Sequence, residues 1–233
     1  MCGIKSAKLA LRKKMKDIIA QLSAEAKQKQ SVRVFEKVGN ARETIFFPIK
    51  NISSGGYVMH LFYNIIQNKL FYYAQLRSLP KFEESKRVSV YLSTKDEIDT
   101  TQILKHMFET NKEVFVPRYK GKELEMVKLL SMDDYEKLPL TKWNIKQPRF
   151  DEPRENALET GGLDLILLPG VAFTMTGKRL GHGMGYYDRF LELCLKKQQK
   201  RPHLIAVAFN EQVWDDIPTS ETDVLLDLVL KEK

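Results

Sequence analysis

Between residues 6 and 22, Leu11, Met15, Ile18, Ile19 and Leu22 fall on one helical face and lysine and arginine occupy other positions. This is the spacing of an amphipathic α-helix. Ser23 can cap a second helix running to about Lys37, with Glu25 in the first turn, where a negative charge suits the helix dipole. From Val88 the pattern changes. VSVYL reads as a strand, TTQILKHMFET as a helix capped by Thr100, and KEVFVP as a further strand. ELEMVKL follows as a strand, then LDLILLPGVAF, apolar enough to be buried on both faces. YYDRFLELCLKKQQ is helical in period and LIAVAF is again a strand. Strands alternating with helices predict a single three-layer α/β/α domain over residues 1–233, Rossmann-like, with a mostly parallel or mixed central sheet.

Residues 39–75 break this grammar. Among these 37 residues only Arg42, Glu43, Lys50 and Lys69 are charged, and the apolar runs have no clean period. Pro48 and the pair Gly55, Gly56 punctuate the segment, and His60 and Asn64 interrupt its apolar runs, so it does not read as a membrane span. It reads as an insertion between two parts of one domain.

Composition is close to that of an ordinary globular protein, with 43% hydrophobic and 29% charged residues. The formal charge of +8 is unevenly placed. Residues 1–37 carry ten basic and three acidic side chains, whereas 87–233 carry 22 basic and 24 acidic. A basic segment of this kind raises nucleic-acid binding as an alternative. Against it, the basic residues are not interleaved with aromatics, and neither nucleic acid nor membrane is an expected partner. Two cysteines, Cys2 and Cys194, cannot build a disulfide framework. Cys194, among Phe190, Leu191 and Leu195, reads as a reduced core residue. MCGIKSAKLALRKKMK lacks the apolar stretch of a signal peptide, and a cytoplasmic protein is the expectation.

The most informative stretch is LPGVAFTMTGKRLGHGMGYYDRF, residues 168–190. A buried strand is followed by a turn at Thr176 and Gly177, then by Gly181, Gly183 and Gly185, then by a helix. Glycines at alternate positions let a backbone approach a ligand without an intervening Cβ. Successive N–H groups and the helix N-terminus that follows make an anion-binding concavity. Lys178 and Arg179 stand upstream to neutralise phosphate charge. Asp188, near the start of the helix, suits a magnesium ion, since phosphate sites hold that ion through one or two carboxylates. G-H-G-M-G lacks the spacing of a dinucleotide fingerprint, and no Lys-Ser/Thr pair follows it, which disfavours P-loop enzymes.

RLGHGMGYYDR resembles the corresponding motif of the 5-formyltetrahydrofolate cyclo-ligase (methenyltetrahydrofolate synthetase) family. AKLALR at 7–12, KRVSVYLSTKDEIDT at 86–100, VPRY at 116–119, WNIKQP at 143–148, GGLDLILLPGVAF at 161–173 and AVAFNEQ at 206–212 agree with it in order. The resemblance covers residues 5–38 and about 76–230. It implies a ligase that uses ATP and magnesium to convert 5-formyltetrahydrofolate to 5,10-methenyltetrahydrofolate, releasing ADP and phosphate. A sugar-phosphate isomerase of related α/β architecture is the enzymatic alternative.

Carried over by position, the resemblance places Lys8 and Arg12, one helical turn apart, on ATP. It does the same for the loop Arg179, Leu180, Gly181, His182, Gly183, Met184, Gly185, Tyr186 and Tyr187. Leu92, Glu97, Trp143 and the stretch His182, Gly183, Met184, Gly185, Tyr186 fall on the folate. Asp188 and Asp223 fall on magnesium. Glu97 suits the adjacent N–H donors of a pterin's amino-pyrimidine edge, although beside Asp96 it also reads as a solvated acid. Trp143 and Tyr186 could stack on the flat ligand, with simple packing below Pro148 the competing reading for Trp143. Arg118, directly after a strand, is a further anion contact by position. No catalytic acid or base is indicated, and a monomer is expected. Two positions depart from the family: Met184 stands where a basic or small residue is common, and His182 where a basic residue is frequent. The insertion is the larger departure, and it reads equally as a lineage-specific loop, a retained intron or a gene-model error.

Overall fold

The computed structural model describes residues 2–35, 76–121, 123–141, 144–220 and 223–232. The segment 39–75 and Trp143 lie outside the described residues. The chain opens with α1 (Cys2–Gln21) and α2 (Ala24–Phe35). The predicted amphipathic face is the one buried: Met15 and Ile19 enter the core, and Leu11, Ile18 and Leu22 pack against it. Ser23 caps α2 as expected, its Oγ accepting from Ala26 N at 3.1 Å.

After a short helix α3 (Pro80–Glu84), β1 (Arg87–Ser89), α4 (Thr101–Glu109) and β2 (Glu113–Lys120) form the first crossover unit. β3 (Glu123–Leu129) turns back, and α5 (Met132–Lys137) follows. β4 (Leu165–Leu168) re-enters the sheet, and the small pair β5 (Ala172–Phe173) and β6 (Arg179–Leu180) precedes α6 (Tyr186–Lys197). β7 (His203–Val207) and β8 (Leu228–Leu230) complete the set. The six-stranded sheet has the order β3-β2-β1-β4-β7-β8, parallel throughout except for the antiparallel pair β2/β3.

Two apolar clusters line the two faces of this sheet. Leu165 and Leu167 of β4 point into one, with α1, α2 and α4; Ile166 and Leu168 point into the other, with Phe190, Leu191 and Cys194 of α6. This alternation makes the three-layer α/β/α arrangement, as expected from the sequence. Burial pushes the Cys194 thiol up to about 12, keeping it a protonated core residue.

Three expectations are corrected in detail. Only Val88 and Ser89 of VSVYL belong to the strand, which starts at Arg87, because the chain then closes a loop on itself. The Tyr91 hydroxyl donates to Ile98 O at 3.2 Å and the Thr100 hydroxyl donates to Tyr91 O at 2.8 Å. Thr100, so committed, is not the side-chain cap of α4; Asp99 Oδ1 instead accepts from Thr101 N at 2.9 Å. The apolar run 163–173 splits into β4 and β5 at Pro169, which has no N–H with which to continue a ladder.

Candidate functional site

From β1 the chain moves outward through α4 to β2 on one face; from β4 it moves the other way through α6 to β7 on the opposite face. The order reverses between β1 and β4, and in such sheets ligands bind beyond the carboxyl ends of the strands at that switch point. A cleft of about 600 Å³ lies there, walled by Tyr91 and Leu92 after β1 and by Pro169 after β4.

The cleft gathers nearly every residue that the sequence singled out. Lys8, Arg12, Leu92, Glu97, the whole run Arg179–Asp188 and Asp223 line it. These positions span more than two hundred residues of chain and meet only through folding. Lys178 and Arg118 are not part of it. Lys178 pairs with Asp216 at 2.6 Å. Strand alternation sends Pro117 and Tyr119 to the cleft and Arg118 away from it, where Arg118 binds Glu125 at 2.9 Å and the carbonyls of Arg149 and Glu152.

The glycine loop is shaped by two backbone requirements. Gly185 caps α6 in the left-handed region (φ 67°), and Gly183 has φ 103°. A Cβ at Gly183 would also meet the Arg12 guanidinium carbon at 3.2 Å. Arg12 Nε donates to Gly181 O at 2.8 Å, so α1 fastens the loop from the far end of the chain. Burial disfavours the Arg12 charge and lowers its pKa, opposed by Asp188 and Asp223 nearby.

Arg179 lines the cleft from below. It is buried under the loop, held to Asp188 Oδ1 at 2.5 Å and to Pro169 O at 3.2 Å, so its first role is to orient Asp188. Lys8 Nζ binds Asp223 Oδ2 at 2.6 Å, and that oxygen also accepts from Ser220 N at 2.8 Å. Burial alone would raise the Asp223 carboxyl; Lys8 and the Ser220 N–H outweigh it and hold the carboxyl below its usual value. Asp188 Oδ2 keeps no hydrogen-bond partner among the described residues, while the Ser220 side chain also hydrogen-bonds the Asp223 carboxylate. A nucleotide-bound magnesium ion needs one or two carboxylates, with phosphate and water filling the octahedron, and this donor pair fits. Among the described residues no cluster of three or more His, Cys, Asp or Glu could hold a metal without such a partner.

Beside the loop, Glu97 is not the solvated acid that its neighbour Asp96 is. Asp96 pairs with Lys27 at 2.9 Å on the surface; the Glu97 side chain is only 9% exposed. Its Oε2 accepts from Thr94 N at 2.9 Å and from the Thr94 hydroxyl at 3.0 Å, while Oε1 lies 3.9 Å from His182 Nε2. Tyr186 stands edge-on to Tyr119, ring centroids 4.9 Å apart, with its hydroxyl donating to Gly121 O. Burial raises the Tyr119 phenol to about 12, so it is a neutral donor at physiological pH. His182 and Met184 are exposed at the mouth. Sequence reasoning missed Tyr91, Thr94, Pro117, Tyr119, Ile145 and Gln147, all on the wall. Period-two alternation along β2 would have linked Pro117 with Tyr119; the others lie in the stretches 86–100 and 143–148 that carry the resemblance, without a role attached to them.

Fold and cleft together define an α/β protein with a glycine-rich loop at the switch point of its sheet. The sequence model of the 5-formyltetrahydrofolate cyclo-ligase family matches residues 67–232. The 5-formyltetrahydrofolate cyclo-ligase of Mus musculus is 38% identical over 231 residues, covering 98% of this chain and 95% of that protein. A probable 5-formyltetrahydrofolate cyclo-ligase of Caenorhabditis elegans is 39% identical over 235 residues, covering 100% and 96%. The solution NMR structure of Aquifex aeolicus 5,10-methenyltetrahydrofolate synthetase matches with a TM-score of 0.64 at 28% identity, covering 97% of this chain and 90% of that one. The chain belongs to the 5-formyltetrahydrofolate cyclo-ligase family and is a ligase.

Proposed function

We propose that this enzyme uses ATP and Mg2+ to convert 5-formyltetrahydrofolate to 5,10-methenyltetrahydrofolate, releasing ADP and phosphate. One observation carries the reading. A single cleft has a cationic, glycine-lined end (Lys8, Arg12, residues 181–185) and an end suited to a flat heterocycle (Leu92, Glu97, Tyr186). The first end matches a triphosphate, held by loop N–H groups, the start of α6 and two side-chain cations. At the second, the open Glu97 oxygen accepts from the pterin's amino and ring N–H groups, and Tyr186 offers an aromatic face.

The formyl oxygen is a poor leaving group until phosphorylated. It attacks the γ-phosphorus and ADP departs; the neighbouring folate nitrogen adds to the activated carbon, loses its proton to water, and phosphate leaves. Such chemistry needs positioning and charge neutralisation more than covalent help. Lys8 and Arg12 supply fixed positive charge, and Arg179 holds Asp188 in orientation. A magnesium ion on Asp188 and Asp223 would neutralise charge on the phosphate oxygens. The residues of one chain complete the cleft, which favours a monomer, and a cytoplasmic setting keeps thiols such as Cys194 reduced. Purified protein with 5-formyltetrahydrofolate, ATP and Mg2+ is expected to generate methenyl absorbance in the near-ultraviolet; folded protein giving no signal would overturn the reading.

A further inference from the structure

One polar group on the cleft wall takes no part in the chemistry above. Gln147 lies in the tight hairpin after α5, its backbone N–H donating to Pro139 O at 3.0 Å while Leu140 and Lys146 bridge beside it. Pro148 follows and restricts Gln147 to an extended backbone. The residue is 9% exposed and faces the cleft. Its Oε1 accepts from Tyr119 N at 3.1 Å. β1 ends at Ser89, so this N–H of β2 has no strand partner, and the glutamine supplies one.

That bond decides which way the amide points. A backbone N–H can only donate, so it takes the oxygen and turns the NH2 group toward the cleft. There Nε2 has no hydrogen-bond partner among the described residues. A donor oriented by the fold and facing the cleft is placed to meet a ligand acceptor. Glu97 presents the opposite chemistry in the same cleft: one oxygen tied to Thr94, the other able only to accept. A 2-amino-4-oxo pyrimidine edge offers two donors followed by an acceptor.

Building on the proposed folate site, we infer that Gln147 is a specificity-determining residue: its amide NH2 donates to the 4-oxo oxygen of the pterin while Glu97 accepts from the neighbouring N–H groups. Gln147→Glu tests this, since the new carboxylate keeps the shape and still accepts from Tyr119 N but places an acceptor where a donor stood. At mildly alkaline pH, calorimetric titration with 5-formyltetrahydrofolate is expected to show affinity reduced at least about hundredfold, with ATP affinity and melting temperature unchanged. The variant is also expected to gain, relative to the original protein, on an analogue bearing a 4-amino group, which offers a donor at that position. Unchanged folate affinity in Gln147→Glu, or equal loss of ATP and folate affinity, would overturn the inference alone. If the unmutated protein binds no reduced folate, the inference falls together with the proposed function; if it binds without turning the folate over, only the reaction falls.

Discussion

Charged groups in the cleft and charged groups beneath the opposite corner of the sheet are finished differently. Around Arg154, both oxygens of Asp134 accept from the guanidinium, at 2.6 and 2.7 Å, and Glu152 adds a third acceptor. Glu155 likewise uses both oxygens, one for Arg87 and Thr160 and the other for Lys128. In the cleft, Asp188 and Glu97 each have one oxygen tied and one without a hydrogen-bond partner among the described residues. Gln147 repeats the pattern with an amide. A carboxylate bound at both oxygens holds the fold together. One bound at a single oxygen and facing the cleft is oriented by the fold with its other oxygen still able to accept.

The comparison breaks most visibly at Arg154. Its side chain is 5% exposed, so Arg154→Leu strands Asp134 and is expected to cost about 3–5 kcal/mol in denaturant titration. Turnover per folded molecule should hardly change, since Arg154 is not on the cleft wall. Asp188→Asn should do the reverse. It removes an open oxygen from a half-exposed side chain, and turnover is expected to fall roughly hundredfold or more while the melting temperature drops only a few degrees.

Gly183→Ala comes next, because both its φ of 103° and the Arg12 guanidinium oppose a Cβ. A strain of about 1–3 kcal/mol should appear as roughly tenfold or greater loss of ATP affinity in calorimetry. The smallest effect belongs to Glu155, whose carboxyl is held at about 2 first by Lys128, then by Thr160 and Arg87. Because the folded value is depressed, its contribution is present above the unfolded value of about 4.3 and is lost as pH falls toward about 2. Urea midpoints measured across that window should fall less steeply for Glu155→Gln than for the unmutated protein.

Much of this site is legible in the amino-acid sequence. The glycine loop, the helix after it and the apolar run preceding it are local patterns, and local geometry enforces them: Gly185 caps α6 only because it reaches positive φ. The positions of Lys8, Arg12, Leu92, Glu97 and Asp223 follow from family resemblance, and they meet in one cleft. Arg118 and Lys178 fall elsewhere because adjacency along the chain is not adjacency in space; alternation along β2 and pairing with Asp216 take them away from the cleft. Gln147 and Thr94 lie in stretches that carry the resemblance, without a role attached to them; each is placed by a backbone N–H that a strand end or loop closure exposes. The expected cap at Thr100 fails for a related reason, its hydroxyl being drawn to the Tyr91 carbonyl.

The division of the cleft into a phosphate end and a pterin end can be tested by titrating magnesium–ATP into the protein in a calorimeter, alongside Arg12→Met and Glu97→Gln. The expected result is nucleotide uptake that Arg12→Met abolishes and Glu97→Gln leaves intact. A well-folded sample that takes up no adenine nucleotide, or one whose uptake is lost equally in both variants, would contradict that division.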